Sequence, residues 1–167
     1  MVILVFGLPG TGKSYFSRHL AKAIGVRYLN TDVVRDELEK RGRYDEQSKQ
    51  LVYEELMKQL TEGLENGLDV LVDGTFHKAE RRIQVKAAGQ KCDCPVFLIE
   101  LKAPEETVKK RLQNKRDYSE SDFQVYQQIK QEWEPCPDDH LMMWSESREM
   151  HQMIQQAKRY IYGQESS

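Results

Sequence analysis

Uninterrupted apolar runs alternate along this chain with longer stretches in which apolar residues recur every three or four positions. Val2-Ile3-Leu4-Val5-Phe6 has no polar break, the composition of a strand covered on both faces. Val70-Leu71-Val72 reads the same way, Val96-Phe97-Leu98-Ile99-Glu100-Leu101 is a further strand broken only by Glu100, and shorter strands are expected at 28–29 and 141–144. Between them, Phe16, Leu20 and Ile24 give helical spacing over 13–24, closed by Gly25. Further helices are predicted over 31–40, 46–64 and 78–88, and another after Pro104, a residue tolerated at a first helical turn. Ser119-Glu120-Ser121-Asp122 resembles a capping box opening a helix that ends near Pro135, and a last helix spans about 147–162. Strand–helix alternation of this kind predicts an α/β three-layer sandwich around a five-stranded parallel sheet. Trp133, Met142, Met143 and Trp144 are expected in its core, and Tyr160 and Tyr162 should pack the last helix.

Composition narrows the class without changing the fold. A chain of 167 residues favours one domain, read here as 1–163 with a frayed tail at 164–167. The formal net charge of -2 gives no global basic footprint. No apolar run approaches the roughly 20 residues that span a bilayer, and the opening run lacks a positive flank and the length of a signal-peptide core. Three cysteines without an export signal point to reduced thiols and a cytoplasmic protein. Cys92-x-Cys94 has no matching pair and reads as a loop before a strand rather than a zinc site.

Gly7-Leu8-Pro9-Gly10-Thr11-Gly12-Lys13-Ser14 matches G-x-x-x-x-G-K-[ST] between an apolar strand and a helix. Glycines let successive amides turn inward on phosphates, and the helix adds its positive N-terminal end. The expected nucleotide-binding set is Gly7, Pro9, Gly10, Thr11, Gly12, Lys13, Ser14 and Tyr15. Lys13 should reach the β- and γ-phosphates of ATP or GTP, and the Ser14 hydroxyl should ligate Mg²⁺.

The remaining motifs choose among P-loop classes. Val70-Leu71-Val72-Asp73 is an apolar strand ending in an acid, the arrangement that orients Mg²⁺ or its waters. Gly74 follows, not the glutamate with which motor ATPases activate water. Asn114-Lys115-Arg116-Asp117 fits the guanine-reading N-K-x-D pattern but follows a basic helical stretch instead of a strand, and no D-x-x-G switch precedes it. Lys109, Lys110, Arg111, Lys115 and Arg116 instead suggest a kinase lid at about 109–119, with Arg111 and Arg116 as phosphate contacts.

On the acceptor side, Asp32 lies in a first helical turn and Arg35 one turn later on the same face. An acid there can take the proton of an attacking hydroxyl, and the arginine can hold an anionic acceptor. The simpler reading is that Thr31 and Asp32 cap the helix. Tyr44, Tyr53 and Phe76 are available to stack bases, or to fill core.

Together, the phosphate loop, Asp32-x-x-Arg35, the strand ending at Asp73 and Glu80-Arg81-Arg82 resemble the polynucleotide 5'-hydroxyl kinases, AAA-type small P-loop kinases, up to about Pro135. The resemblance implies Mg²⁺-dependent transfer of the γ-phosphate to the 5'-hydroxyl of an oligonucleotide. It makes Asp32 the general base and Arg35 the contact to the acceptor's phosphate, while Lys13 and Ser14 bind nucleotide and metal. Asp73-Gly74-Thr75-Phe76 lacks the asparagine of the Asp-Thr-Asn sequence of the phage enzyme. Two other readings stay open: a small-molecule kinase acting on a sugar, antibiotic or nucleotide hydroxyl, and a nucleotide-binding switch without transfer.

Overall fold

The computed structural model describes residues 1–115, 120–145 and 149–163, with the side chains of residues 120 and 121 outside that description. The strands are β1 (Val2–Phe6), β2 (Arg27–Asn30), β3 (Val70–Gly74), β4 (Val96–Lys102) and β5 (Leu141–Trp144). The helices are α1 (Lys13–Ile24), α2 (Thr31–Glu37), α3 (Glu46–Glu65), α4 (Ala79–Lys91), α5 (Glu105–Gln113), α6 (Glu120–Gln131) and α7 (Met150–Tyr162). All five strands are parallel, in the order β2-β3-β1-β4-β5. This is the α/β sandwich that the apolar runs predicted.

The pleat sorts each strand's side chains into two cores. Val2, Leu4 and Phe6 of β1 join Val52, Leu56 and Leu60 of α3 and Val85 of α4. Ile3 and Val5 point the other way, onto Phe16 and Leu20 of α1 and Met153, Ala157 and Ile161 of α7. Every β1 residue is fully buried, each apolar side chain contributing about 1.5–3 kcal/mol relative to exposure. The chain crosses from one side of β1 to the other between β3 and β4, which makes the carboxyl ends of the central strands the switch point at which open α/β sheets bind ligands.

Several local expectations need correction. Helix α2 stops at Glu37, three residues early, because Glu39 takes a left-handed φ of 56° and the following Lys40-Arg41-Gly42-Arg43 offers nothing to bury. Helix α7 begins at Met150, and the capping residue Ser119 lies outside the described residues. Met143 is core, but Met142 and Trp144 are 44% and 49% exposed: β5 is an edge strand, and α7 covers only the Met143 face. Tyr160 packs edge-on against Phe97, whereas Tyr162 is exposed. Cys92 and Cys94 occupy the turn into β4, as the loop reading required. Among the described residues, no helix is long and apolar enough to cross a membrane.

Candidate functional site

The loop after β1 is shaped by close backbone approach. A Cβ on Gly7 would lie 2.3 Å from the Leu101 carbonyl oxygen, and one on Gly10 would lie 2.8 Å from Val108 Cγ1. Gly10 and Gly12 also take left-handed φ values of 78° and 87°, which leads directly into α1 at Lys13. No side chain caps α1, so its first amides stay available to an anion. Thr11 Oγ1 and Lys13 Nζ both donate to the Leu8 carbonyl, at 2.8 and 2.9 Å, bracing the loop around Pro9. Burial holds the Lys13 pKa below its ordinary value, and the nearby Asp73 carboxylate opposes the shift. Tyr15, exposed on α1, packs against His19 with the rings tilted and their centroids 4.4 Å apart.

Beside the loop lies a network built by strand register. Asn30 of β2 pairs with Asp73 of β3, and Tyr28 shares that face two residues earlier. Tyr28 Oη and Asn30 Nδ2 each donate to Asp73 Oδ2 at 2.8 Å. Asn30 Nδ2 also faces Ser14 Oγ at 3.2 Å and Tyr28 Oη at 3.0 Å. The other Asp73 oxygen, Oδ1, is buried without a hydrogen-bond partner. Burial raises the Asp73 pKa, with Lys13 opposing, and both burial and the Asp73 charge raise that of Tyr28. A hydroxyl beside a carboxylate with one orphaned oxygen is a donor set that suits a hard cation such as Mg²⁺.

The same asparagine opens α2, the helix whose Asp32 and Arg35 were expected to meet an acceptor. Asn30 Oδ1 accepts from the backbone N–H of Asp32 at 2.7 Å and of Val33 at 3.3 Å, so Asn30, not Thr31 or Asp32, caps α2. Asp32 is thereby released from capping, and its Oδ1 accepts from Arg35 Nη1 at 2.8 Å. The Arg35 guanidinium stacks on exposed Tyr44 at 4.5 Å, and its Nε is buried without a partner. Phe76 is fully buried at a left-handed φ of 46°, edge-on to Tyr53 at 5.4 Å, and therefore is not a free stacking surface. Its carbonyl accepts from Arg82 Nη1 at 2.7 Å, while Arg82 Nη2 donates to the Glu134 and Pro135 carbonyls.

The four described cations of the expected lid, Lys109, Lys110, Arg111 and Lys115, do not converge. Arg111 donates to the Gly10 carbonyl at 3.2 Å and to Ser145 Oγ at 3.0 Å, and Ser145 Oγ donates to the Thr11 carbonyl. Its guanidinium thus ties the phosphate loop to the segment after β5. Lys109 lies over Phe123, Lys110 and Lys115 are exposed, and Arg116 falls outside the described residues. Asn114 ends α5 rather than following a strand, as the coincidental reading of N-K-x-D required.

Tyr28, Asn30 and Ser145 were not singled out from the sequence. Asn30 carried a readable signal, being a preferred capping residue directly before a helix. Tyr28 and Ser145 carried none, since their partners lie 45 and 134 residues away.

The family described as "AAA domain" matches residues 2–135, and the chain belongs to it. An Aeropyrum pernix UPF0200 protein is 31% identical over 136 residues, covering 75% of this chain and 70% of that protein. An L-seryl-tRNA(Sec) kinase of Methanococcus maripaludis is 29% identical over 116 residues, 66% of this chain; the match spans 44% of that kinase's length. Among solved structures, the Mycobacterium tuberculosis APS kinase CysC in complex with AMPPNP and APS superposes with a TM-score of 0.75 at 14% identity, over 96% of each chain. A Sinorhizobium meliloti gluconokinase gives 0.73 at 14% identity, over 93% of this chain and 88% of that one. The fold is that of the small P-loop kinases.

Proposed function

We propose that this member of the AAA domain family transfers the γ-phosphate of ATP or GTP to a hydroxyl of a small anionic acceptor. The observation that carries the reading is the Asp32–Arg35 pair, joined through Asn30 to the Ser14–Asp73 corner of the phosphate loop. Gly7, Pro9, Gly10, Thr11, Gly12 and Tyr15 frame the nucleotide, and Lys13 holds its β- and γ-phosphates. Ser14 and Asp73 hold Mg²⁺, which neutralises charge on those phosphates. Asp32 takes the acceptor's proton as its oxygen bonds to the γ-phosphorus and the bond to the β-phosphate oxygen breaks, releasing the nucleoside diphosphate. Arg35 orients an acceptor anion, and Arg111 keeps the phosphate loop in place.

The acceptors named for the APS kinase and gluconokinase neighbours support a small substrate. A net charge of -2 gives no global basic footprint of the kind many nucleic-acid binders carry. A 5'-hydroxyl oligonucleotide is the second reading, favoured by exposed Tyr44 against Arg35, which offers one base-stacking face beside one cation. The deciding test is label transfer from [γ-³²P]ATP or GTP, with Mg²⁺, to a panel of sugar acids, hydroxy acids, nucleotides and a 5'-hydroxyl oligonucleotide, with Asp32→Asn as control. Label on a small acid, lost in the control, is the expected result. Label on the oligonucleotide alone transfers the assignment to the second reading. Binding of nucleotide with no label on any acceptor rejects phosphotransfer to both classes.

A further inference from the structure

We infer that Tyr28 and Asn30 are positioning residues that aim the Asp73 carboxylate at the metal and, through the same asparagine, set where the helix carrying Asp32 begins. The inference rests on the P-loop reading above but concerns side chains outside the phosphate loop and the acceptor pair.

The orientation of the Asn30 amide is fixed by its neighbours. Two backbone N–H groups face one end of it, and three oxygens face the other. A flipped amide would set its oxygen against the Asp73 carboxylate and its NH₂ against two donors. With two N–H bonds for three oxygens, Nδ2 is fully engaged. Tyr28 gives its only proton to Asp73 Oδ2 and accepts from Asn30 on its own oxygen. Both donors to Asp73 therefore fall on Oδ2. That leaves Oδ1 buried, unpartnered and the one carboxylate oxygen free to take a cation or a water on it. Removing either donor frees the carboxylate to rotate or to spend Oδ1 on a protein partner.

The asparagine couples two halves of the site because one planar group serves both. Its amide nitrogen faces the Ser14–Asp73 corner, and its carbonyl oxygen fixes the first turn of α2, from which Asp32 projects. A displacement at the metal corner is passed to the start of α2 through the two covalent bonds between the amide nitrogen and oxygen rather than through a chain of contacts. Serine at this position would keep a capping acceptor yet lose the amide donors. Alanine would lose both.

The test uses the full chain with Mn²⁺ as the probe, its binding followed by electron paramagnetic resonance in the presence of ADP. ADP affinity in EDTA and the melting temperature are measured alongside. Tyr28→Phe and Asn30→Ser should each weaken Mn²⁺ binding about 10-fold or more, the range typical of lost groups that orient a metal ligand. Metal-free ADP affinity should stay near wild type, while the melting temperature falls modestly because each variant removes a hydrogen bond to the buried Asp73 carboxylate. Asn30→Ala should lower the melting temperature further through the lost cap. Mn²⁺ affinities within about twofold of wild type in both Tyr28→Phe and Asn30→Ser would overturn the inference. So would a loss of Mn²⁺ binding matched by an equal loss of metal-free ADP binding, since that reports a collapsed loop. Because no acceptor is involved, these outcomes stand apart from failure of the phosphotransfer reading, which would leave Mn²⁺ binding and its dependence on Tyr28 intact.

Discussion

Arg35 donates to Asp32 across 2.8 Å from a side chain only 10% exposed to one that is 74% exposed. An inner cation thus steers an outer carboxylate without removing it from solvent. In the proposed reaction, Asp32→Asn keeps the shape and the Arg35 contact but cannot accept a proton. Its kcat should fall at least ~10²-fold while nucleotide affinity stays within about twofold. Steady-state kinetics beside equilibrium binding check both. A variant with near wild-type kcat would mean that Asp32 is not the base.

Gly7 faces a backbone atom, not a flexible side chain. The Cβ of Gly7→Ala would sit 2.3 Å from the Leu101 carbonyl oxygen, so the phosphate loop or the end of β4 has to move. Overpacking of this kind typically costs ~1–3 kcal/mol. Urea unfolding should show that loss, and nucleotide affinity should drop at least 10-fold. Gly25→Ala is the control, since its Cβ meets nothing within 4 Å. Its φ of 70° still strains an alanine by about 1 kcal/mol, so only its nucleotide affinity should match wild type.

Arg82 is buried and donates to three carbonyls on two segments, Phe76 before α4 and Glu134 and Pro135 after α6. Arg82→Met keeps much of the apolar stem yet strands those acceptors, at about 1–3 kcal/mol for each one left buried and unpaired. Denaturant unfolding should show at least ~2 kcal/mol of destabilisation. Arg82→Lys should recover little of it, because one ammonium cannot reproduce the planar fork. A loss below about 0.5 kcal/mol in Arg82→Met would show that water or other donors replace it.

Burial lowers the His77 pKa below its ordinary value of 6.5, with Lys78 adding to the shift and Glu132 opposing it. The folded protein therefore prefers neutral His77, and the unfolded chain takes up a proton first as pH falls. Stability from this site is complete above about pH 6.5 and declines as pH drops from there through the lowered folded value. Melting temperatures of wild type and His77→Gln should converge on acidification through that window. Parallel profiles would show that His77 does not titrate with folding.

Local order along the chain was enough to specify the sheet, because three apolar runs and two shorter strands spaced by amphipathic stretches have few ways to be buried except as a parallel sheet between helices. It also determined the phosphate loop, since closely spaced glycines before Lys13 act through their own backbone and the helix they open. Asp32, Arg35 and Asp73 were legible for a related reason: each holds a fixed position relative to a strand end or a helix start. Tertiary structure decided what those groups touch. The β2–β3 register sets Asn30 beside Asp73, and the fold carries Ser145 back to the phosphate loop to meet Arg111. The edge position of β5 leaves Trp144 and Met142 in solvent, although their composition reads as core. Hydrophobic period and local turn chemistry act over a few residues and are written in order along the chain. Hydrogen bonds between residues 45 or 134 positions apart depend on register and strand order, which no local pattern encodes.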